Sequence, residues 1–212
     1  MERNELSGTV TRSTGSWYDV LCDDGTAVKC RIRGRLRLNG ARSTNPVAVG
    51  DRVTAEVDEG GIANIVRIEP RRNYIIRRAS NLSKESHIIA SNIDLALLVA
   101  TLFSPETNCE FIDRFLVTCE AYKVPVKIVL NKADLARTQP ERLEEFRRIY
   151  TQAGYDIIEA SAVDGTGIDE IGALLKNRTT LLSGNSGVGK STLVGRLEPA
   201  DNNTRHRRPE FS

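Results

Sequence analysis

Residues 179–193 read TTLLSGNSGVGKSTL. A short apolar run, residues 179–183, is followed by Gly184-Asn185-Ser186-Gly187-Val188-Gly189-Lys190-Ser191, which spells G-x-x-x-x-G-K-S, and then by a helical pattern. Strand, glycine-rich loop and helix in that order are the context of a phosphate-binding P-loop. The glycines let successive backbone N–H groups converge on phosphate oxygens with no Cβ in the way. A helix starting near Gly189 adds the partial positive charge of its N-terminus. In this reading Lys190 bridges the β- and γ-phosphates, Ser191 offers its hydroxyl to Mg²⁺, and Thr192 completes the candidate phosphate site.

Upstream, apolar runs alternate with helical patterns. Residues 93–102 (IDLALLVATL) form a near-continuous apolar run, the mark of a parallel strand buried on both faces. A helix is expected over 108–122, where Phe111, Ile112, Phe115, Leu116 and Cys119 make one stripe. Strands follow at 126–130, 156–160 and 179–183. Helices fall between them at 140–152, with Pro140 near its first turn, and at 168–176. The alternation predicts an α/β domain with a parallel sheet. The first 70 residues differ. Short runs rich in Val, Thr, Trp, Tyr and Ile at 6–12, 16–23, 26–33, 53–57 and 62–68 predict five strands, with Asp24-Gly25 as a hairpin turn. Five strands in so short a span predict a small β-barrel, an OB-fold first and an SH3-like barrel second. A long loop, 34–50, separates the third strand from the fourth. Pro70-Arg71-Arg72-Asn73 marks the expected boundary, giving domains at 1–72 and 73–198 and a disordered tail at 199–212.

The composition is that of a globular protein: 212 residues, 40% hydrophobic and 27% charged. Lys and Arg number 30 against 28 Asp and Glu, which excludes a histone-like or acidic-tail protein. The charge is unevenly spread. Residues 1–78 carry 14 Lys and Arg against 10 Asp and Glu, a net of +4, and the remainder 16 against 18, a net of −2. Two domains with different partners are therefore expected. The N-terminus has no apolar signal region, and no run approaches the roughly 20 apolar residues of a membrane span. Four scattered cysteines (Cys22, Cys30, Cys109 and Cys119) read as thiols of a reducing cytosol, and the expected location is cytoplasmic.

Asn131-Lys132-Ala133-Asp134 is N-K-x-D at the carboxyl end of the 126–130 strand, where ligands bind in open α/β sheets. Its chemistry suits guanine. A carboxylate at Asp134 accepts from guanine N1–H and the 2-amino group, donors that adenine lacks on that edge. Asn131 can tie loops together and reach N7, while the Lys132 stem lies along the ring. The same residues also suit a capped strand–helix turn with Asp134 as helix cap. Ser161-Ala162 follows the next strand, where a backbone N–H can face guanine O6. In the usual order of such motifs the P-loop comes first. Here N-K-x-D and Ser161-Ala162 precede it, so the base site is built before the phosphate site.

That permuted order behind an N-terminal barrel resembles the RsgA (YjeQ) family of circularly permuted GTPases that act on the small ribosomal subunit. The resemblance covers about residues 5–197 and includes Ile89-Ala90-Ser91-Asn92-Ile93-Asp94 and Phe111-Ile112-Asp113-Arg114-Phe115-Leu116. It implies an OB-fold followed by a permuted P-loop GTPase domain, with GTP or GDP and Mg²⁺ as ligands. It also implies the 30S subunit and 16S rRNA as partners, no membrane, and a monomer. In this pattern a switch segment with a Mg²⁺-binding Thr, a strand ending in D-x-P-G and a zinc-binding module should follow Leu197. Residues 198–212 match none of them, so the domain is expected to be incomplete at its C-terminal end and slow in hydrolysis. No catalytic residue is identifiable in this chain. His87 and His206 cannot make a zinc site with cysteines this dispersed. Asp58–Gly61 and Asp164–Gly167 match D-x-x-G but read as turns.

Lys29, Arg31, Arg33, Arg35, Arg37 and Arg42 have no acidic residue between them and suit a nucleic-acid backbone on the barrel face and loop. A solvated strand face is the competing reading. Two other functions compete with a GTPase. One is a guanine-nucleotide-dependent RNA-binding module without turnover. The other is an ATP-using kinase, which Asn131 and Asp134 disfavour.

Overall fold

Alternation of inward apolar and outward polar side chains builds the N-terminal half. The computed structural model describes residues 5–32, 46–58, 60–78 and 86–197. Strands β1 (Glu5–Thr14), β2 (Trp17–Cys22), β3 (Ala27–Ile32), β4 (Arg52–Val57) and β5 (Ala63–Ile68) close a barrel in the order β1-β2-β3-β5-β4. β1 pairs with both β2 and β4, which seals the barrel, while β3 and β5 run parallel. Closure leaves no unpaired edge. The core holds Val10, Tyr18, Val20, Cys30, Val53, Ala55 and Ile65. At the expected hairpin turn, Asp24 Oδ1 accepts from the Thr26 N–H at 2.9 Å, and Gly25 takes the left-handed φ of 86°.

A two-stranded antiparallel hairpin, β6 (Tyr74–Arg78) with β7 (Ser86–Ser91), follows where the sequence predicts no strand. Neither YIIRR nor SHIIAS alternates cleanly, so no period of two marks them. The chain divides into compact units at 1–93 and 94–212, later than the boundary expected at 70–73. The reason is a buried polar cluster. Asp51 is fully buried, and its carboxylate accepts from Arg71 Nε and Nη2, both at 2.7 Å. It also accepts from Ser91 Oγ at 2.5 Å and the Ala48 N–H at 2.8 Å. Ser91 lies at the end of β7, and its N–H donates to the Val49 carbonyl at 2.9 Å. Asp51 thus ties the hairpin to the segment entering β4.

In the second unit β8 (Leu95–Ala100), β9 (Val126–Asn131), β10 (Ile157–Ala160) and β11 (Thr180–Ser183) form a wholly parallel sheet in the order β10-β9-β8-β11. Every residue of β8 is buried, as its unbroken apolar run requires. Alternate residues serve opposite faces. Leu98 and Ala100 join Ile112, Leu116, Phe146 and Tyr150 of helices α1 (Cys109–Ala121) and α3 (Pro140–Gln152). Leu95, Leu97 and Val99 join Ile171 and Leu193 of α4 (Ile168–Leu175) and α5 (Lys190–Leu197). A one-turn helix, α2 (Ala133–Ala136), lies between β9 and α3. β11 pairs with β8 and, among the described residues, stands at the sheet edge, its four residues half-buried. Because the sheet is parallel, β8, β9, β10 and β11 all end on one rim. Among the described residues no helix is long and apolar enough to cross a membrane.

Removing one partner of a buried, hydrogen-bonded ion pair typically costs about 3–5 kcal/mol. Asp51→Ala is expected to lose stability on that order in urea unfolding followed by fluorescence of Trp17, the chain's single tryptophan and part of β2.

Candidate functional site

The site is built at the rim from three strand ends. After β11, the loop 184–189 curls ahead of α5, whose first N–H groups have no intrahelical acceptor. Lys190 opens the helix, and its Nζ donates to the carbonyls of Gly184 and Asn185, each at 2.7 Å. Partial burial holds its ammonium below the ordinary lysine range. Val188 is fully buried and anchors the loop in the core. Two glycines are required by space as well as by φ. A Cβ at Gly184 would stand 2.4 Å from the Val99 carbonyl oxygen, and one at Gly189, where φ is 92°, would stand 2.4 Å from Asn131 Nδ2.

β9 supplies the second part. Asn131, its last residue, is buried, and its Nδ2 donates to the Val188 carbonyl at 2.8 Å. The next residue, Lys132, takes a left-handed φ of 58°, and its Nζ donates to the Gly187 carbonyl at 3.0 Å and to the Ser104 carbonyl. The N-K-x-D motif therefore holds the P-loop directly across more than 50 residues of chain. Asn131 Oδ1 is buried with no hydrogen-bond partner.

β10 leads to the third part. The fully buried Ser161 donates its hydroxyl to Asp134 Oδ1 at 2.7 Å. The same Oγ accepts from the N–H groups of Val163 and Asp164 at 3.2 and 3.3 Å. Asp134 lies inside the first turn of α2, and Lys132 holds the N-cap position, so Asp134 is not the helix cap. The Ser161 N–H is taken by the Thr166 carbonyl at 2.9 Å, which leaves Ala162 as the member of that pair able to present an N–H to a base.

The structure thus gathers Asn131, Lys132, Asp134, Ser161 and the 184–190 loop at one rim. Ala133 is buried beneath them, while Ser191 and Thr192 sit in the exposed first turn of α5. Two contributors carry no sequence signal. The turn 101–107 sets Pro105 near Gly187 and the Ser104 carbonyl near Lys132. Arg137, three residues after Asp134, donates from Nη1 to Asp164 at 2.8 Å and from Nη2 to Thr166 Oγ1 at 2.9 Å. Hydrogen bonds from Thr166, reinforced by Arg137, hold the Asp164 carboxyl at about 2. Asp58 likewise accepts from the N–H groups of Gly60 and Ile62, so both D-x-x-G matches form turns. On the barrel, Lys29 and Arg31 are exposed on β3, and the Arg31 guanidinium lies 3.9 Å from the ring centroid of Trp17. Arg33, Arg35, Arg37 and Arg42 lie outside the described residues, as does the segment 198–212. Among the described residues no group of three His, Cys, Asp or Glu side chains could hold a metal ion, so no zinc site is assigned.

A five-stranded barrel followed by a parallel sheet whose base motif precedes its P-loop defines a circularly permuted P-loop GTPase architecture. The RsgA GTPase family model matches residues 68–208 and the RsgA N-terminal domain model residues 7–65; the chain belongs to the RsgA family. It is 54% identical over 195 residues to the small ribosomal subunit biogenesis GTPase RsgA of Bacteroides fragilis, covering 92% of this chain and 63% of that protein. The crystal structure of YjeQ from Thermotoga maritima superposes with a TM-score of 0.73 at 31% identity, over 92% of this chain and 66% of that one. YloQ, described as a circularly permuted GTPase, superposes with a TM-score of 0.67 at 27% identity, over 90% and 63%. The chain therefore spans less than two thirds of the curated relative's length.

A left-handed φ costs a non-glycine residue about 1–2 kcal/mol before any clash is counted. Gly189→Ala is expected to lower the thermal midpoint. Gly195→Ala, in α5 with open space around it, should leave the midpoint unchanged or raise it. Thermal unfolding of the two variants side by side checks this.

Proposed function

We propose that this chain binds GTP and GDP at the sheet rim, as the guanine-nucleotide part of a GTPase that assists late maturation of the small ribosomal subunit. The observation that carries the reading is the direct bonding of N-K-x-D to the P-loop, with Asp134 held by Ser161. The residues fit a nucleoside phosphate. A Cβ at Gly184 or Gly189 would collide with the Val99 carbonyl or the Asn131 side chain, so both glycines hold the loop in its curled shape, and that loop leads into the positive N-terminal end of α5. Lys190 already satisfies two carbonyl oxygens, and phosphate oxygens offer the same ammonium charged acceptors. Ser191 would hold Mg²⁺, which supplies charge neutralisation between the β- and γ-phosphates. Asn185, Ser186, Gly187, Val188 and Thr192 contribute backbone around the phosphates. Asn131 Nδ2 keeps a second hydrogen for N7, and the Ala162 N–H is the donor for O6.

The naming of its relative as a small ribosomal subunit biogenesis GTPase supports a 30S partner, and the exposed Lys29 and Arg31 support contact with 16S rRNA through the barrel. A cytoplasmic monomer fits such a factor.

Base choice tests the nucleotide reading. Asp134→Asn replaces one acceptor by an amide donor, which suits the carbonyl at position 2 of xanthine and opposes the guanine 2-amino group. In a competition of GTP against XTP the wild type should favour GTP and the variant XTP. Broken pairings of this kind discriminate by up to about 10⁴–10⁵-fold, and less at a partly solvated site such as this. A variant that still prefers GTP contradicts the assignment.

Binding to RNA or 30S subunits should weaken with salt, and should weaken further when Arg31, Arg33 and Arg35 are changed together to Glu. Each phosphate contact contributes about 0.7 to the log–log salt slope on single strands. Filter binding across a salt series measures both effects.

A further inference from the structure

Arg137 stands at the C-cap of α2, three positions after Asp134, and the hydrogen bonds of both side chains run to the same loop, residues 161–167. Asp134 meets that loop at the Ser161 hydroxyl. Arg137 meets it further along, with one nitrogen on the Asp164 carboxylate and the other on the Thr166 hydroxyl. The direction of the Ser161 hydroxyl follows from its surroundings. Its oxygen accepts from the N–H groups of Val163 and Asp164, so its proton is left to Asp134. Those two N–H groups belong to the turn that Asp164 organises, where Oδ1 accepts from the Thr166 N–H at 2.9 Å and the Ser161 carbonyl accepts from the Gly165 N–H at 2.9 Å. The placement of Asp164 therefore sets the two N–H groups, which set the hydroxyl, which meets the Asp134 carboxylate.

We propose that Arg137 is a positioning residue for guanine recognition: by clamping Asp164 and Thr166 it holds the Ser161 hydroxyl against Asp134 and so fixes the carboxylate that reads the N1–H and 2-amino edge of the base. The inference rests on the guanine reading of this site. A surface ion pair acting only on stability would affect all nucleotides alike. A clamp acting through Asp134 weakens most the ligand that uses both of the base donors facing Asp134.

GDP and IDP separate the two, because IDP lacks only the 2-amino group. Equilibrium binding of each to the 212-residue chain is measured for the wild type, Arg137→Ala, Arg137→Lys, Asp164→Asn and the double variant Arg137→Ala with Asp164→Asn. Asp164→Asn keeps an acceptor for the Thr166 N–H and removes the charge that Arg137 pairs with. The wild type should prefer GDP. Arg137→Ala and Asp164→Asn should each narrow that preference by about two- to five-fold, the range of exposed ion pairs, and together by no more than either alone. Arg137→Lys, which can reach Asp164 but cannot fork to Thr166, should fall between. A wild-type GDP-to-IDP ratio in Arg137→Ala overturns the inference, even if that variant binds both more weakly. If Arg137→Ala does not fold, the ratio in Asp164→Asn decides the question. A wild-type protein that binds GDP and IDP equally would instead overturn the guanine reading itself, before any variant is considered.

Discussion

The hydrogen bond from Asn131 Nδ2 to the Val188 carbonyl is the contact on which the rim of the second unit depends. It joins the end of one buried strand to the middle of the glycine loop after another, and both partners are buried. Its geometry leaves no room for a Cβ at Gly189, so the glycine is required by its neighbour as well as by its left-handed φ. Lys132 adds a second tie one residue on, at Gly187. Together they set the loop against the strand ends through the chain's own hydrogen bonds. A loop ordered in advance loses less conformational entropy when it closes on phosphates.

The permuted order costs the sheet nothing, for a topological reason. In a parallel sheet each strand delivers its carboxyl end to the same rim whichever strand comes first. β8, β9, β10 and β11 occupy the order β10-β9-β8-β11, and the rim loops meet although 184–190 comes last in the chain. What the order does change is the route. The contacts between Asn131 or Lys132 and the loop span more than 50 residues, so they belong to the non-local pairings that slow folding.

Much of this was legible in the sequence, and the parts that were not share a cause. The buried parallel strands announced themselves by unbroken apolar runs, β8 above all, and the helices by their stripes. N-K-x-D, Ser161-Ala162 and G-x-x-x-x-G-K-S named most of the rim residues because each needs a residue type at a fixed offset. The β6–β7 hairpin carries no period of two, because neither of its strands, Tyr74–Arg78 and Ser86–Ser91, alternates cleanly. What attaches it to the first unit is Asp51, a carboxylate that nothing in the local sequence marks as buried. The roles of Ser161 and Arg137 were hidden for the same reason: a hydroxyl or a guanidinium chooses its partner by tertiary placement, and period-based reading carries no information about that.

Two Arg–Asp pairs show how placement decides what one chemistry does. Asp51 and Arg71 pair in the interior, where every lone pair must be matched and loss of one partner strands the other. Arg137 and Asp164 pair at the surface, with roughly two fifths of each side chain exposed, where water competes for both ions and the contribution to stability is small. Yet Asp164 is the carboxyl held at about 2, chiefly by the hydroxyl and N–H of Thr166. Its folded value lies below the ordinary carboxylate range, so the ionised form that Arg137 grips is complete at neutral pH and is lost only as the pH falls through about 2. A depressed pKa at an exposed group therefore reports local order rather than a large stabilising energy. In this chain that order sits in the turn whose N–H groups aim the Ser161 hydroxyl at Asp134.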